Sequence, residues 1–207
     1  MFTRSANELI KKIFQFLVQL SHSKQHSNSI ITIPKIIHLC DGLMASEQSP
    51  LTHCIPALEP IVENIFLTRN KSNTVDAKEL ETTRDVVLSM LLRLYEHHEV
   101  IDLIVLILDD SKYCNNSEKW LRWSTQVVDV VLPMLRQNKI RLDDIQSLIS
   151  LRKLLFVLEP SVFDPVDAVI LMVFQESLNY VILFGVSGVD VVVSRCRKTG
   201  ARVSLAD

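Results

Sequence analysis

From Ile33 onward, apolar residues return at every third or fourth position: Ile33, Ile36, Ile37, Cys40 and Met44. At about 100° per residue they share one arc of a helical wheel, which predicts an amphipathic helix with that arc in a core. Pro34 suits its first turn, where a backbone N–H would find no partner anyway. His38 falls roughly 160° from Cys40 on this wheel and shares its side with Lys35, Asp41 and Ala45. Cys40 is therefore expected inside and His38 outside, and the two cannot form a catalytic pair on this helix.

The same reading organises the rest of the chain. Ser5-Ala6-Asn7-Glu8 has the capping-box pattern and precedes a stripe of Ile10, Ile13, Phe14 and Leu17. Ser21–Ser29 is a polar loop. Ser49 is the expected cap and Pro50 the first residue of a further helix, which Pro56 and Pro60 should kink or split. A second polar loop, Thr68–Ala77, leads into a helix drawn from Ala77 to Glu99. Val86 to Leu88, Met90 to Leu92, Leu94 and Tyr95 cover more of its circumference than a surface helix needs, so it should touch neighbours on several sides. His97 and His98 would then sit at its C-terminal end, where a cation favours the dipole.

Val100–Leu108 is short and β-branched, and its helical surroundings favour helix over buried strand. Another helix should start at Asn116 or Ser117 and run toward Leu135. Ile145, Leu148, Leu151, Leu155 and Leu158 align on the next, and Asp164-Pro165 opens a last apolar segment. That makes about eight helices joined by short loops, so sequence neighbours should be antiparallel. No repeat of fixed period is visible. The expected fold is all-α, antiparallel helix pairs stacked as an alpha solenoid, because pairs with broad apolar faces must bury them against both adjoining pairs; a compact bundle is the alternative.

Composition agrees with that class. The 207 residues are 48% hydrophobic and 22% charged with net charge −2, which gives no general pull toward nucleic acid or anionic membrane. Of only four glycines, Gly185, Gly188 and Gly200 lie late in the chain, too few for the turns of a β-rich fold. Cys40, Cys54, Cys114 and Cys196 show no CxxC spacing, and are read as reduced thiols of an intracellular protein. The N-terminal stretch has Lys and Glu where a secretory signal needs apolar residues. Between Glu176 and Asp190 lie 13 uncharged residues, short for a membrane span, although insertion of residues 166–193 is an alternative reading.

No motif assembles a catalytic, cofactor-binding or metal site. His22 and His26 have helical metal-ligand spacing but sit in a Ser/Lys/Gln loop without a third ligand. Asp109-Asp110 is expected to end a helix and Asp143-Asp144 to begin one. Phe184–Gly188 reads Gly-x-Ser-Gly and lacks the spacing of a nucleophile elbow. Trp120 and Trp123 are expected in the core, with a partner groove as the alternative, and Arg195, Arg197, Lys198 and Arg202 in a solvated tail, with contact to an acidic surface as the alternative. A small all-α enzyme using His38, His53 or Asp41 would need those residues gathered in one cleft.

Several whole segments resemble the huntingtin family. They are Ile33–Ser46, Thr52–Val62, Lys78–Thr82, Val86–Leu94, Val130–Leu135 and Leu158–Ile170, in order and with few gaps. The likeness is to an interior piece of that family's N-terminal HEAT array. The glutamine tract and proline-rich segment that open the family are absent here. The resemblance divides the chain into a HEAT-repeat segment, 1–174, and a divergent apolar then basic tail, 175–207. It implies a scaffold without enzymatic activity, associated with vesicle transport along microtubules and selective autophagy. The implied partners are proteins, namely adjacent HEAT repeats and huntingtin-associated proteins. No cofactor, nucleic acid or small-molecule substrate is implied, and membrane contact should be indirect or weak. The expected location is the cytoplasm, with the nucleus as a second compartment.

Overall fold

A computed structural model describes residues 2–22, 32–45, 50–68, 77–113, 117–137 and 144–184. Among them every regular element is helical, and Val100–Leu108 lies in a helix, not a strand. The chain divides into two compact units, Met1–Arg93 and Leu94–Asp207.

The first unit contains α1 (Phe2–His22), α2 (Ile33–Met44), α3 (Pro50–Val62) and α4 (Ala77–Leu92), with a π-helical turn, Glu63–Thr68, continuing α3. Its most extensive packing is α1 on α3, and α2 lies against α1, α3 and α4. Phe14 and Val18 of α1, Ile36 and Cys40 of α2, Leu58 and Ile61 of α3, and Leu88 and Leu91 of α4 are buried. An ion pair from Lys11 Nζ to Glu59 Oε1, 2.6 Å long, ties α1 to α3 at the surface.

The second unit contains α5 (His98–Tyr113), α6 (Ser117–Arg136), α7 (Ile145–Val157) and α8 (Pro165–Phe184), with a 3₁₀ turn at Pro160–Val162. Here α5 packs most extensively on α7, while α6 lies on α5 and α8 on α7. Ile104, Leu108, Val127, Leu151, Leu154, Leu171 and Leu178 are in its core. In both units the heaviest contact joins a helix to the next but one, beside contacts between sequence neighbours. Stacked helix pairs produce that pattern, and the fold is an all-α, HEAT-type solenoid arrangement.

The local starts follow their chemistry. Thr32 caps α2 in extended conformation, with Pro34 in the first turn. Asp144 caps α7, its Oδ1 accepting from the Ser147 N–H at 2.8 Å and its Oδ2 from the Ser147 hydroxyl at 2.6 Å. Asp164 Oδ1 accepts from the N–H groups of Val166 (2.8 Å) and Asp167 (3.1 Å) at the start of α8.

Five expectations need correction. First, α1 begins at Phe2, so Ser5 lies inside the helix, and Ile13 is 46% exposed while Val18 takes its place in the core. Second, of the kink or split expected at Pro56 and Pro60 the split does not occur: α3 runs through both, and the ladder widens beyond them into the π turn. Third, α4 stops at Leu92, and His98 opens α5 instead of closing α4. The reason is a pair of tight closures, Arg93 N–H to Met90 C=O at 3.2 Å and His97 N–H to Leu94 C=O at 3.0 Å. Fourth, Asp109 and Asp110 lie inside α5, which continues to Tyr113. Fifth, Ile145 is 48% exposed at the start of α7, and Leu154 fills the expected stripe in its stead. The sequence boundary between residues 174 and 175 falls within α8, which runs to Phe184. The loop stretch 69–76, the Gly-x-Ser-Gly run and the basic tail lie outside the described residues. Among the described residues no helix is long and apolar enough to cross a membrane.

Candidate interaction surfaces

In the first unit, α2 and α4 border a groove of about 590 Å³. Ile37, Val86 and Met90 supply its apolar floor and wall, and His38, Asp41 and Arg93 its polar rim. The wheel of α2 explains this: the arc that buries Ile36 and Cys40 leaves His38 facing solvent and Asp41 at the margin. Arg93 Nη2 donates to Asp41 Oδ1 at 2.6 Å across the groove. Both side chains are about half exposed (56% and 49%), which makes the ion pair a positional tie more than a source of stability. His38 and Asp41, both candidates for an enzyme's cleft, therefore do share a groove, with the carboxylate committed to a guanidinium. The side chain of His53 lies outside the described residues.

In the second unit, α5, α7 and α8 border a groove of about 690 Å³. Its walls carry Tyr113 and Phe156, which are 83% and 78% exposed. Arg152 Nε donates to Asn179 Oδ1 at 2.5 Å, and Lys153 Nζ to Asp102 Oδ1 at 3.0 Å. The amide of Gln175, also in the groove, donates to the Leu155 carbonyl. Sequence reasoning missed this face, although a signal was available: on the α7 wheel Phe156 falls between Arg152 and Lys153, away from the leucine stripe. An aromatic group left on a charged face is the sort of residue that anchors protein contacts.

The remaining candidates have structural roles. Trp120 and Trp123 are buried in α6, with the Arg122 guanidinium 5.9 Å from the Trp123 ring centre. Among the described residues, no three His, Cys, Asp or Glu side chains are grouped so as to hold a metal ion.

One pairing was invisible in the sequence. Cys40 and Cys54, on α2 and α3, are fully buried with their Sγ atoms 3.9 Å apart. The hydrogen bond between them and burial push the Cys40 thiol well above its ordinary range. The same hydrogen bond, helped by the positive charge of Arg93, outweighs burial at Cys54 and pulls that thiol down.

Comparison with known proteins agrees with this fold. Residues 2–149 match the family described as Huntingtin, N-terminal HEAT. Huntingtin of Takifugu rubripes is 44% identical over 176 residues, which cover 85% of this chain and 6% of that protein.

Proposed function

The chain belongs to the huntingtin N-terminal HEAT family, and from that premise we propose that it is a non-enzymatic scaffold segment whose grooves dock other proteins. Family membership carries the reading. The two open grooves, one in each unit, support it, because exposed apolar side chains set among charged ones are suited to reversible protein contacts. The finer role is service in vesicle transport along microtubules and in selective autophagy, with huntingtin-associated proteins and adjacent HEAT repeats as partners. It works in the cytoplasm, with a nuclear pool, and touches membranes weakly or through its partners. It needs no cofactor, nucleic acid or small-molecule substrate.

The test is direct binding of purified huntingtin-associated proteins to the immobilised chain, read by interferometry. Saturable binding is expected, weakened by about tenfold or more in Phe156→Glu or Val86→Glu while circular dichroism stays unchanged. If no such protein binds a folded chain, or if both variants bind as the unmodified chain does, the docking reading fails. Fluorescent tagging in cells with cargo-vesicle and autophagosome markers tests the finer role, which requires co-localisation with at least one of them.

A further inference from the structure

Cys40 lies one turn before the end of α2 and Cys54 one turn after the start of α3. The two helices pack on each other, which places both sulfurs in one sealed site close to the α2–α3 corner. A disulfide needs the sulfurs about 2.05 Å apart, so the observed 3.9 Å requires only a small approach of two adjacent helix ends. We propose that Cys40 and Cys54 form an oxidation site, at which hydrogen peroxide converts the thiol pair into a disulfide fastening α2 to α3.

The chemistry balances with that one oxidant. Cys54, the more acidic of the two thiols, attacks a peroxide oxygen as thiolate. The O–O bond breaks, hydroxide leaves and takes up the proton that Cys54 released, and Cys54 becomes a sulfenic acid. The Cys40 sulfur then attacks the sulfenic sulfur. Its proton joins the departing oxygen, the S–O bond breaks and water leaves. Two thiols and one peroxide thus yield one disulfide and two waters, the sulfurs losing two electrons and the peroxide gaining them.

Burial sets the kinetics. Both thiols are fully enclosed, so the oxidant reaches them only when α2 and α3 part locally, and the reaction is slow beside that of an exposed thiol. Once closed, the link restricts the unfolded chain between residues 40 and 54 and raises the unfolding midpoint of the first unit. Its consequence for docking rests on the proposed function: Ile37, His38 and Asp41 share α2 with Cys40, so the link immobilises one wall of the α2/α4 groove. The cross-link itself does not depend on that reading.

The experiment treats the reduced full chain with hydrogen peroxide, blocks the remaining thiols and maps it by non-reducing proteolysis and mass spectrometry. A Cys40–Cys54 linked peptide pair, two hydrogens lighter than the thiols, is expected as the main product. The first unit's midpoint should rise by several degrees, and dithiothreitol should reverse both changes. Amide exchange in α2 should slow in the oxidised form, and Cys54→Ala should abolish the linked product and the stabilisation together. Linkage mainly to Cys114 or Cys196, irreversible sulfinic acid as the main product, or unreacted thiols after prolonged exposure would each overturn the proposal. Mapping on the unmodified chain decides the matter even if Cys54→Ala does not fold.

Discussion

Arg84 Nε donates to the Ile65 carbonyl at 3.1 Å, so a buried guanidinium on α4 takes up a carbonyl in the π turn that continues α3. The same side chain pairs with Glu81 through Nη1 and is almost fully enclosed. A helix end leaves its last carbonyls without intrahelical donors, and a buried one needs a donor from elsewhere. Arg84 fills that need while its stem packs in the core, where an arginine is seldom found without partners.

Arg84→Ala should therefore cost about 3 kcal/mol, the range for removing one member of a buried charged pair. Arg84→Lys should recover only part of it, because an ammonium lacks the planar fork that serves two acceptors. Urea unfolding followed by far-ultraviolet circular dichroism measures both. Equal stability of the alanine variant and the unmodified chain would contradict the buried role.

On α2, His38 and Cys40 offer a matched contrast. His38→Ala should shift stability by less than about 0.5 kcal/mol, as surface changes do. Cys40→Asp should cost several times more, because it places a carboxylate in a site with no exposure. Similar effects from the two changes would reject the assignment of faces.

Gly42 lies within α2, and a Cβ there would meet nothing within 4 Å. Gly42→Ala should stabilise the first unit by about 0.5–1 kcal/mol through the smaller entropy loss of alanine in a helix. The expected readout is a higher midpoint with unchanged helicity.

Asp144 adds a pH signature to the second unit. Its carboxyl is held below the usual value of 3.8 by the Ser147 hydroxyl and then by the Ser147 N–H. A depressed folded-state value means that the cap's contribution is full above the unfolded value and fades as pH falls through the lower folded one. The stability gap between the unmodified chain and Asp144→Ala should thus be constant from about pH 7 to 5 and shrink in stronger acid. Both tryptophans belong to this unit, so their fluorescence follows the transition.

How far the chain could be read from its letters varied with the range of the force involved. Pro34, Asp144 and Asp164 act within one turn, and the starts of α2, α7 and α8 were legible from spacing alone. Resemblance over whole segments made the family legible too. The end of α4 was not, because the apolar pattern continues through Leu94 and Tyr95 while the backbone turns away after Leu92. Cys40 and Cys54 meet only through packing of α2 on α3, which no local periodicity encodes. Nothing local marks Arg84 for burial, since its acceptor is 19 positions away. Tyr113 and Phe156 become neighbours of one groove only after α5 and α7 stack.

The π turn at Glu63–Thr68 also has a meaning for chain length. A π turn holds about one residue more than the α turn it replaces, and each added residue rotates the downstream chain by roughly 100°. Ile65 and Phe66, inside that turn, are buried. A one-residue deletion inside 63–68 could be absorbed by tightening the turn to α geometry, with Ile65 and Phe66 exchanging places with their neighbours. The same deletion between Ile36 and Cys40 has no such slack and would swing the thiol of residue 40 out of its site. Among the described helices of the first unit, the turn is thus a place where a residue could be added or dropped with α3 kept in phase with its partners.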